Sequence, residues 1–122
     1  MAKTIMVIDD SASIRQVVNI TLKKAGYDVI EACDGRDAIG KLQGQKVNLM
    51  ICDVNMPNMD GISFLKNIKT SASYKFTPVI MLTTESQENK KQEGKMAGAK
   101  AWVVKPFKPE QMLEAISKLI MP

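Results

Sequence analysis

Polar side chains follow four apolar runs of the chain, at the points where predicted buried strands end. They are Asp9 and Asp10 after residues 5–8, Asp53 after residues 49–52, Thr83 after residues 79–82, and Lys105 after residues 102–104. In a parallel α/β sheet the carboxyl ends of the strands meet in one crevice. The sequence therefore predicts that these five side chains lie close together.

Three crowded carboxylates repel one another, so either their proton affinities rise or a cation holds them. Three aspartates and one lysine carry a net charge that one divalent ion balances, and hard oxygen ligands suit Mg²⁺, which keeps open positions for phosphate oxygens. The pattern indicates phosphoryl transfer, in which an aspartate attacks phosphorus to give an acyl phosphate. The metal and Lys105 would screen the charge on the transferred group, and the Thr83 hydroxyl would donate to it.

Each of these residues also has a structural interpretation. Asp9 or Asp10 is able to cap the first helix, Thr83 to end a strand, and Lys105 to lie in an exposed loop before a proline. The single tryptophan, Trp102, is compatible with core packing, and Asp60 with capping the helix that follows it. Taken jointly, the structural interpretations would require the sheet to gather all these groups by accident, which favours a functional site.

Composition limits the function further. The 122 residues suffice for one domain with a single core, and the absence of histidine excludes Ser-His or Cys-His catalysis and histidine metal ligation. Cys33 and Cys52 form no CxxC pair and are expected to be reduced thiols. The net charge of +4 comes from lysines spread along the chain, which favours a solvated surface over nucleic-acid binding. No apolar run reaches membrane-spanning length and no signal region opens the chain, so we expect a cytoplasmic protein.

Five short apolar runs alternate with five longer helical patterns, which is typical of a parallel βαβ sheet. The first helix starts at Ser11 or Ser13, and Gly26 is a plausible left-handed residue after its end. Its predicted inner face comprises Ile14, Val17, Val18, Thr21 and Leu22. The helix predicted from Gln87 to Ala97 has almost no apolar face, so it is either a solvated surface helix or an adaptable interaction element.

Four motifs occur in order along the chain. They are VIDDS at residues 7–11, DVNMPNMDG at 53–61, MLTTES at 81–86 and WVVKPF at 102–107. Through them the whole chain resembles the receiver domain of two-component response regulators, of the stand-alone, CheY-like chemotaxis type. The resemblance implies a flavodoxin-like, doubly wound α/β fold: a five-stranded parallel sheet of order 2-1-3-4-5 with five helices. It also implies one receiver domain over residues 1–122 with no output domain.

The resemblance assigns the site residues. Asp53 is the implied phosphoacceptor, with a histidine kinase supplying the histidine that this chain lacks, and Thr83 and Lys105 are implied to recognise the phosphoryl group. The implied Mg²⁺ ligands are Asp9, Asp10, Asp53 and the backbone carbonyl of Asn55. Asn55 and Glu85 match positions that influence hydrolysis of the acyl phosphate in this family.

Three further features follow from the resemblance. The Lys105–Pro106 bond is expected to be cis, as only a bond before proline readily is. Trp102 takes the place of the family's switching aromatic, usually Tyr or Phe, and is expected to move inward with Thr83 after phosphorylation. Thr84 departs from the small residue common there, and its side chain is able to hinder access to the site.

The implied partners are a CheA-like histidine kinase, a flagellar motor switch protein or other regulatory target, and a phosphatase, with no nucleic acid and no membrane insertion. The chain is expected to be a monomer and not an enzyme, catalysing only its own phosphorylation and dephosphorylation. Three functions compete: a diffusible messenger, a phosphate sink that drains the kinase, and a metal-dependent phosphohydrolase. The last usually needs an acid two residues after the nucleophile, where this chain has Asn55.

Overall fold

The structure is a computed structural model that describes residues 2–84 and 88–120, and it confirms the predicted fold. Its strands are β1 (Thr4–Ile8), β2 (Asp28–Ala32), β3 (Leu49–Asp53), β4 (Val79–Thr83) and β5 (Ala101–Val104). Its helices are α1 (Ala12–Lys24), α2 (Gly35–Leu42), α3 (Gly61–Lys69), α4 (Glu88–Ala97) and α5 (Pro109–Leu119). All neighbouring strands are parallel, in the order β2-β1-β3-β4-β5.

The three central strands are buried on both faces, which explains why they read as continuous apolar runs. Side chains alternate between two core clusters, because successive residues of a strand point to opposite faces. In β1, for example, Ile5 and Val7 pack with α1 and α5, whereas Met6 and Ile8 pack with α2 and α3. The strand order reverses between β1 and β3, and this is where doubly wound sheets open a crevice at their carboxyl ends.

Short polar residues begin three of the helices. The side chains of Ser11, Asp34 and Asp60 each accept a hydrogen bond from a backbone N–H three residues later, at the starts of α1, α2 and α3. The role predicted for Asp60 is thereby confirmed, and the alternative that Asp9 or Asp10 caps α1 is wrong. Gly26, with φ of 96°, follows α1 in the left-handed region, as predicted.

One detail of the helix predictions differs from the structure, and another lies outside the described residues. Val17 is predicted on the inner face of α1, but 51% of it is exposed. The residues that α1 buries fully are Val18 and Leu22, so its buried face is narrower than predicted. Helix α4 begins at Glu88, and the predicted start at Gln87 lies outside the described residues. Met96 of α4 is 81% exposed, in keeping with the predicted lack of an apolar face. Within the described part of the chain, no helix is long and apolar enough to cross a membrane.

Candidate functional site

Three aspartates meet at the carboxyl ends of β1 and β3. These strands are neighbours, with Ile8 opposite Cys52, so the residues that follow them lie side by side. One carboxylate oxygen from each of Asp9, Asp10 and Asp53 lies within 4.8 Å of the other two. Asp9 is fully buried and Asp53 is 5% exposed, whereas Asp10 lies at the exposed rim. The predicted cluster is therefore present, with two of its members taken out of water.

Lys105 joins the two buried carboxylates. Its Nζ lies 3.1 Å from Oδ2 of Asp9 and 3.0 Å from Oδ1 of Asp53. The backbone N–H of Lys105 donates to the carbonyl of Thr83 at 2.6 Å, so the lysine is aligned with the end of β4. The bond between Lys105 and Pro106 is cis, as predicted. The alternative of an exposed loop lysine is wrong, since only 17% of this side chain is exposed.

The electrostatics of the site follow from this crowding. Burial raises the pKa of Asp53 to about 6; the hydrogen bond from Lys105 opposes the rise, and the charge of Asp9 adds to it. Burial alone would lower the pKa of Lys105, but its hydrogen bond to Asp53 and the two nearby carboxylates outweigh that effect and raise it. Asp53 thus carries a carboxyl that is easier to protonate than usual, beside a lysine that stays charged.

Asp9 is held from two sides. Its Oδ1 accepts the backbone N–H of Ser11 at 2.9 Å, and its backbone carbonyl accepts Nη1 of Arg15 at 2.6 Å. Arg15 also pairs with Glu31 of β2 through Nε, at 3.2 Å. Arg15 was not predicted from the sequence, because nothing in a helical pattern reveals that one long side chain reaches back to the strand end.

The loop that follows β3 requires a glycine. A Cβ atom at Gly61 would lie 2.1 Å from the backbone carbonyl oxygen of Asp53, which no side chain permits. The N–H of Gly61 donates to the carbonyl of Val54 at 2.9 Å and so closes the loop on itself. Asn55 lies exposed inside this closed loop, two residues beyond Asp53. The motif contained Gly61, but its spacing alone indicated no role for it.

Thr83 is the last residue of β4 and is 2% exposed, so it lies at the predicted strand end beside the site. Its hydroxyl donates to the carbonyl of Thr84 at 3.2 Å. Thr84 itself is exposed. Glu85, which was assigned an influence on hydrolysis, lies outside the described residues.

Trp102 is partly buried and packs against the core on the side of α2 and α3. A Cβ atom built at Gly94 of α4 would lie 2.2 Å from its Cζ3 and 3.3 Å from Cδ1 of Ile62. The indole ring therefore occupies the space that Gly94 leaves beneath α4. Core packing describes Trp102 in this conformation, and its movement in a switch stays a prediction.

The donor set fits Mg²⁺. The clustered atoms are carboxylate oxygens, the hard ligands that this ion prefers, and the exposed position of Asp10 leaves room for water and phosphate oxygens. Two buried acids beside a single lysine also leave negative charge that a divalent cation would neutralise.

Comparisons with known proteins agree with this geometry. Residues 5–117 match the response regulator receiver domain family. The chain is 41% identical to protein PilG of Pseudomonas aeruginosa over 112 residues, covering 92% of this chain and 83% of PilG. It is similar to the solved structure of the Vibrio cholerae chemotaxis protein CheY4, with 48% identity, a TM-score of 0.93 and coverage of 98% and 100% of the two chains. It is also 34% identical to the transcriptional regulatory protein PhoP of Bacillus subtilis, of which it spans 49%. The chain belongs to the receiver domains of two-component response regulators and is close to the chemotaxis type.

Proposed function

We propose that this receiver domain takes a phosphoryl group from a histidine kinase onto Asp53 and thereby changes its affinity for a partner. The observation that carries the proposal is the position of Lys105, within 3.1 Å of both buried aspartates, whose carboxylates cluster with that of the exposed Asp10. An acid held beside a fixed cation at an open rim is suited to attack phosphorus, since the cation neutralises charge on the transferred group.

The transfer forms one bond to phosphorus and breaks another. A carboxylate oxygen of Asp53 attacks the phosphorus of a phosphohistidine, the P–N bond breaks, and the leaving imidazole nitrogen keeps the electron pair and takes up a proton. Lys105 stays charged beside the acyl phosphate, and the Thr83 hydroxyl donates to a phosphoryl oxygen. Asp9, Asp10, Asp53 and the backbone carbonyl of Asn55 would hold Mg²⁺, which supplies further positive charge to the phosphoryl oxygens.

Phosphorylation adds negative charge and acceptor oxygens next to Thr83, the end residue of β4. A shift of Thr83 would open space beside β5 and let Trp102 and α4 rearrange, which moves an equilibrium between two states of the surface. A partner senses this only if it binds one state more tightly. We expect Thr83→Ala to reduce the change in partner affinity on phosphorylation. The same change as in the wild type would contradict the coupling.

The proposed role is a messenger read by a flagellar motor or other regulatory protein, in keeping with the similarity to a chemotaxis protein. The alternative is a phosphate sink for the kinase. Capture of a partner only by the phosphorylated protein would support the messenger, and its absence the sink. In either role the domain catalyses only its own phosphorylation and dephosphorylation. The phosphohydrolase alternative gains nothing from the site, because the position two residues after Asp53 holds an amide.

The first experiment uses the single tryptophan as the reporter. Trp102 fluorescence is followed during titration with Mg²⁺ and then with acetyl phosphate, in the wild type, in Asp53→Asn, and in Asp28→Asn as a matched control at an exposed acid of β2. We expect a Mg²⁺-dependent response to the donor in the wild type and the control, together with a phosphate adduct by mass spectrometry. An adduct that persists in Asp53→Asn, or none in the wild type, would contradict the assignment.

A further inference from the structure

The loop that follows β3 is fastened to the start of α2 by two side chains. Nδ2 of Asn58 donates to Oδ2 of Asp34 at 2.8 Å, across 24 residues of sequence. Next to this bond, Met59 packs on Gly35, where its Cγ lies 2.8 Å from the place of a Cβ atom. Among residues 2–84 and 88–120, Asn58 is the one non-glycine residue with positive φ, at 66°. Asn tolerates this conformation better than most residues, but the bond helps to hold it there.

Asp34 uses both of its carboxylate oxygens. Oδ1 accepts the N–H of Asp37 at 2.8 Å and so caps α2, while Oδ2 accepts Asn58. The N–H of Asp37 and then the amide of Asn58 hold the pKa of Asp34 below its usual value. Only 7% of Asp34 is exposed. Hydrogen bonds to a charged carboxylate are stronger than those between neutral groups, so Asp34 holds the loop at Asn58 firmly against the start of α2.

The bond between Asp34 and Asn58 connects the chain segments that lie on the two sides of the aspartate cluster. Asp34 lies two residues beyond Ala32, whose carbonyl accepts the N–H of Asp9 at 3.1 Å. On the other side, Asn55 lies in the loop between two residues that are held by hydrogen bonds. The carbonyl of Val54 accepts the N–H of Gly61, and the side chain of Asn58 donates to Asp34. Only three residues, one of them a proline, therefore lie between Val54 and Asn58.

We propose that Asp34 and Asn58 are positioning residues for the Mg²⁺ site: their bridge fixes the loop that carries the Asn55 carbonyl relative to Asp9 and Asp53. The inference rests on the proposed function, because it concerns the metal that phosphorylation of Asp53 would use. Neither residue is a ligand of the metal. The bridge acts by keeping the loop in the conformation that binds, so that Mg²⁺ binding does not have to order it.

The test compares three single variants and one double variant. Asp34→Ser keeps a hydroxyl to cap α2 but loses the oxygen that Asn58 uses. Asn58→Gly keeps positive φ without strain and removes the bond from the other side. Asp34→Asn removes the charge yet can restore the bridge, because the Asn58 amide can turn its oxygen towards the new NH₂ group. The double variant combines Asp34→Ser with Asn58→Gly.

Mg²⁺ affinity is measured by calorimetry and by Trp102 fluorescence without phosphodonor, and hydrogen exchange of residues 54–61 is measured without metal. We expect Asp34→Ser and Asn58→Gly each to weaken Mg²⁺ binding about tenfold, the lower end of the cost for bonds that orient metal ligands. The double variant should resemble the single ones, Asp34→Asn should stay within about twofold of the wild type, and loop exchange should rise only where the bridge is lost.

Three outcomes would contradict the proposed role of the Asp34–Asn58 bond. The first is unchanged Mg²⁺ affinity in both Asp34→Ser and Asn58→Gly, and the second is additive losses of affinity in the double variant. The third is a loss in Asp34→Asn as large as in Asp34→Ser, which would assign the effect to the charge of Asp34. A wild-type protein that binds no Mg²⁺ would instead contradict the proposed function. The exchange measurement then decides whether the bridge orders the loop, since it needs no metal.

Discussion

Replacing the proposed phosphoacceptor should stabilise the metal-free protein. Asp53 is 5% exposed, and burial raises the pKa of its carboxyl from 3.8 to about 6. The folded protein therefore holds a proton that the unfolded chain has already lost between these two pH values. The contribution of Asp53 to stability therefore falls as the pH rises from about 4 to about 6, and above that range the ionised carboxylate carries its full penalty. Asp53→Asn stays neutral and avoids this penalty.

The size of the effect follows from the same pKa. One pH unit corresponds to about 1.4 kcal/mol, so a rise from 3.8 to about 6 sets an upper limit of about 3 kcal/mol at pH 7. Solvent at the open rim screens the charge, so we expect about 1–2 kcal/mol. For a domain of this length, that gain would raise the melting temperature by about 5 °C.

The assay is urea unfolding and thermal melting in the presence of EDTA, at several pH values from 4 to 8, for the wild type, Asp53→Asn and the control Asp28→Asn. The difference between Asp53→Asn and the wild type should be small near pH 4 and constant above about pH 7. Added Mg²⁺ should stabilise the wild type and narrow or reverse the difference. An Asp53→Asn protein that is no more stable than the wild type at pH 7.5 in EDTA, or a gain that Asp28→Asn shares, would refute the reasoning.

Four further variants test packing and charge. Gly94→Ala should displace the Trp102 ring, which lies 2.2 Å from the added methyl group, and cost about 1–3 kcal/mol with a changed fluorescence spectrum. Gly40→Ala in α2, where the added methyl group meets nothing within 4 Å, should leave the unfolding free energy unchanged or raise it by up to about 1 kcal/mol. Tyr74→Phe should cost about 1 kcal/mol in urea unfolding, because the single hydroxyl proton of Tyr74 is shared between the backbone carbonyls of Leu42 and Gln45. Lys105→Met should destabilise the metal-free protein by about 1–3 kcal/mol after allowance for solvent screening, with Mg²⁺ restoring part of the loss.

Specific outcomes would contradict these predictions. Equal effects of alanine at the two glycine positions would mean that the ring does not depend on the space at Gly94. An unchanged midpoint for Tyr74→Phe would mean that water replaces both bonds without cost. A metal-free Lys105→Met protein as stable as the wild type would show that the lysine does not offset the repulsion between the buried acids.

The fold class and the place of the aspartate cluster could be predicted from local sequence patterns. The apolar runs at β1, β3 and β4 are short and alternate with helical patterns, which favours strands buried on both faces in a parallel sheet covered by helices. Once the sheet is parallel, the residues that end its strands share one edge, so Asp9, Asp53 and Lys105 could be grouped from their positions alone. The helix start at Asp60 was also readable, because a capping bond is local to one turn.

Contacts between separate elements could not be predicted in this way, because they depend on how those elements pack against one another. The reach of Arg15 to the carbonyl of Asp9, the space at Gly94 for Trp102, and the bond from Asn58 to Asp34 join residues whose distance is set by packing. Val17 was placed inward because helical periodicity locates a stripe but not its edges, and the neighbouring elements decide where the stripe ends. A sequence pattern indicates which residues share one face of a helix or strand. Which residues of other elements they contact depends on close packing and on the hydrogen bonds that buried polar groups need.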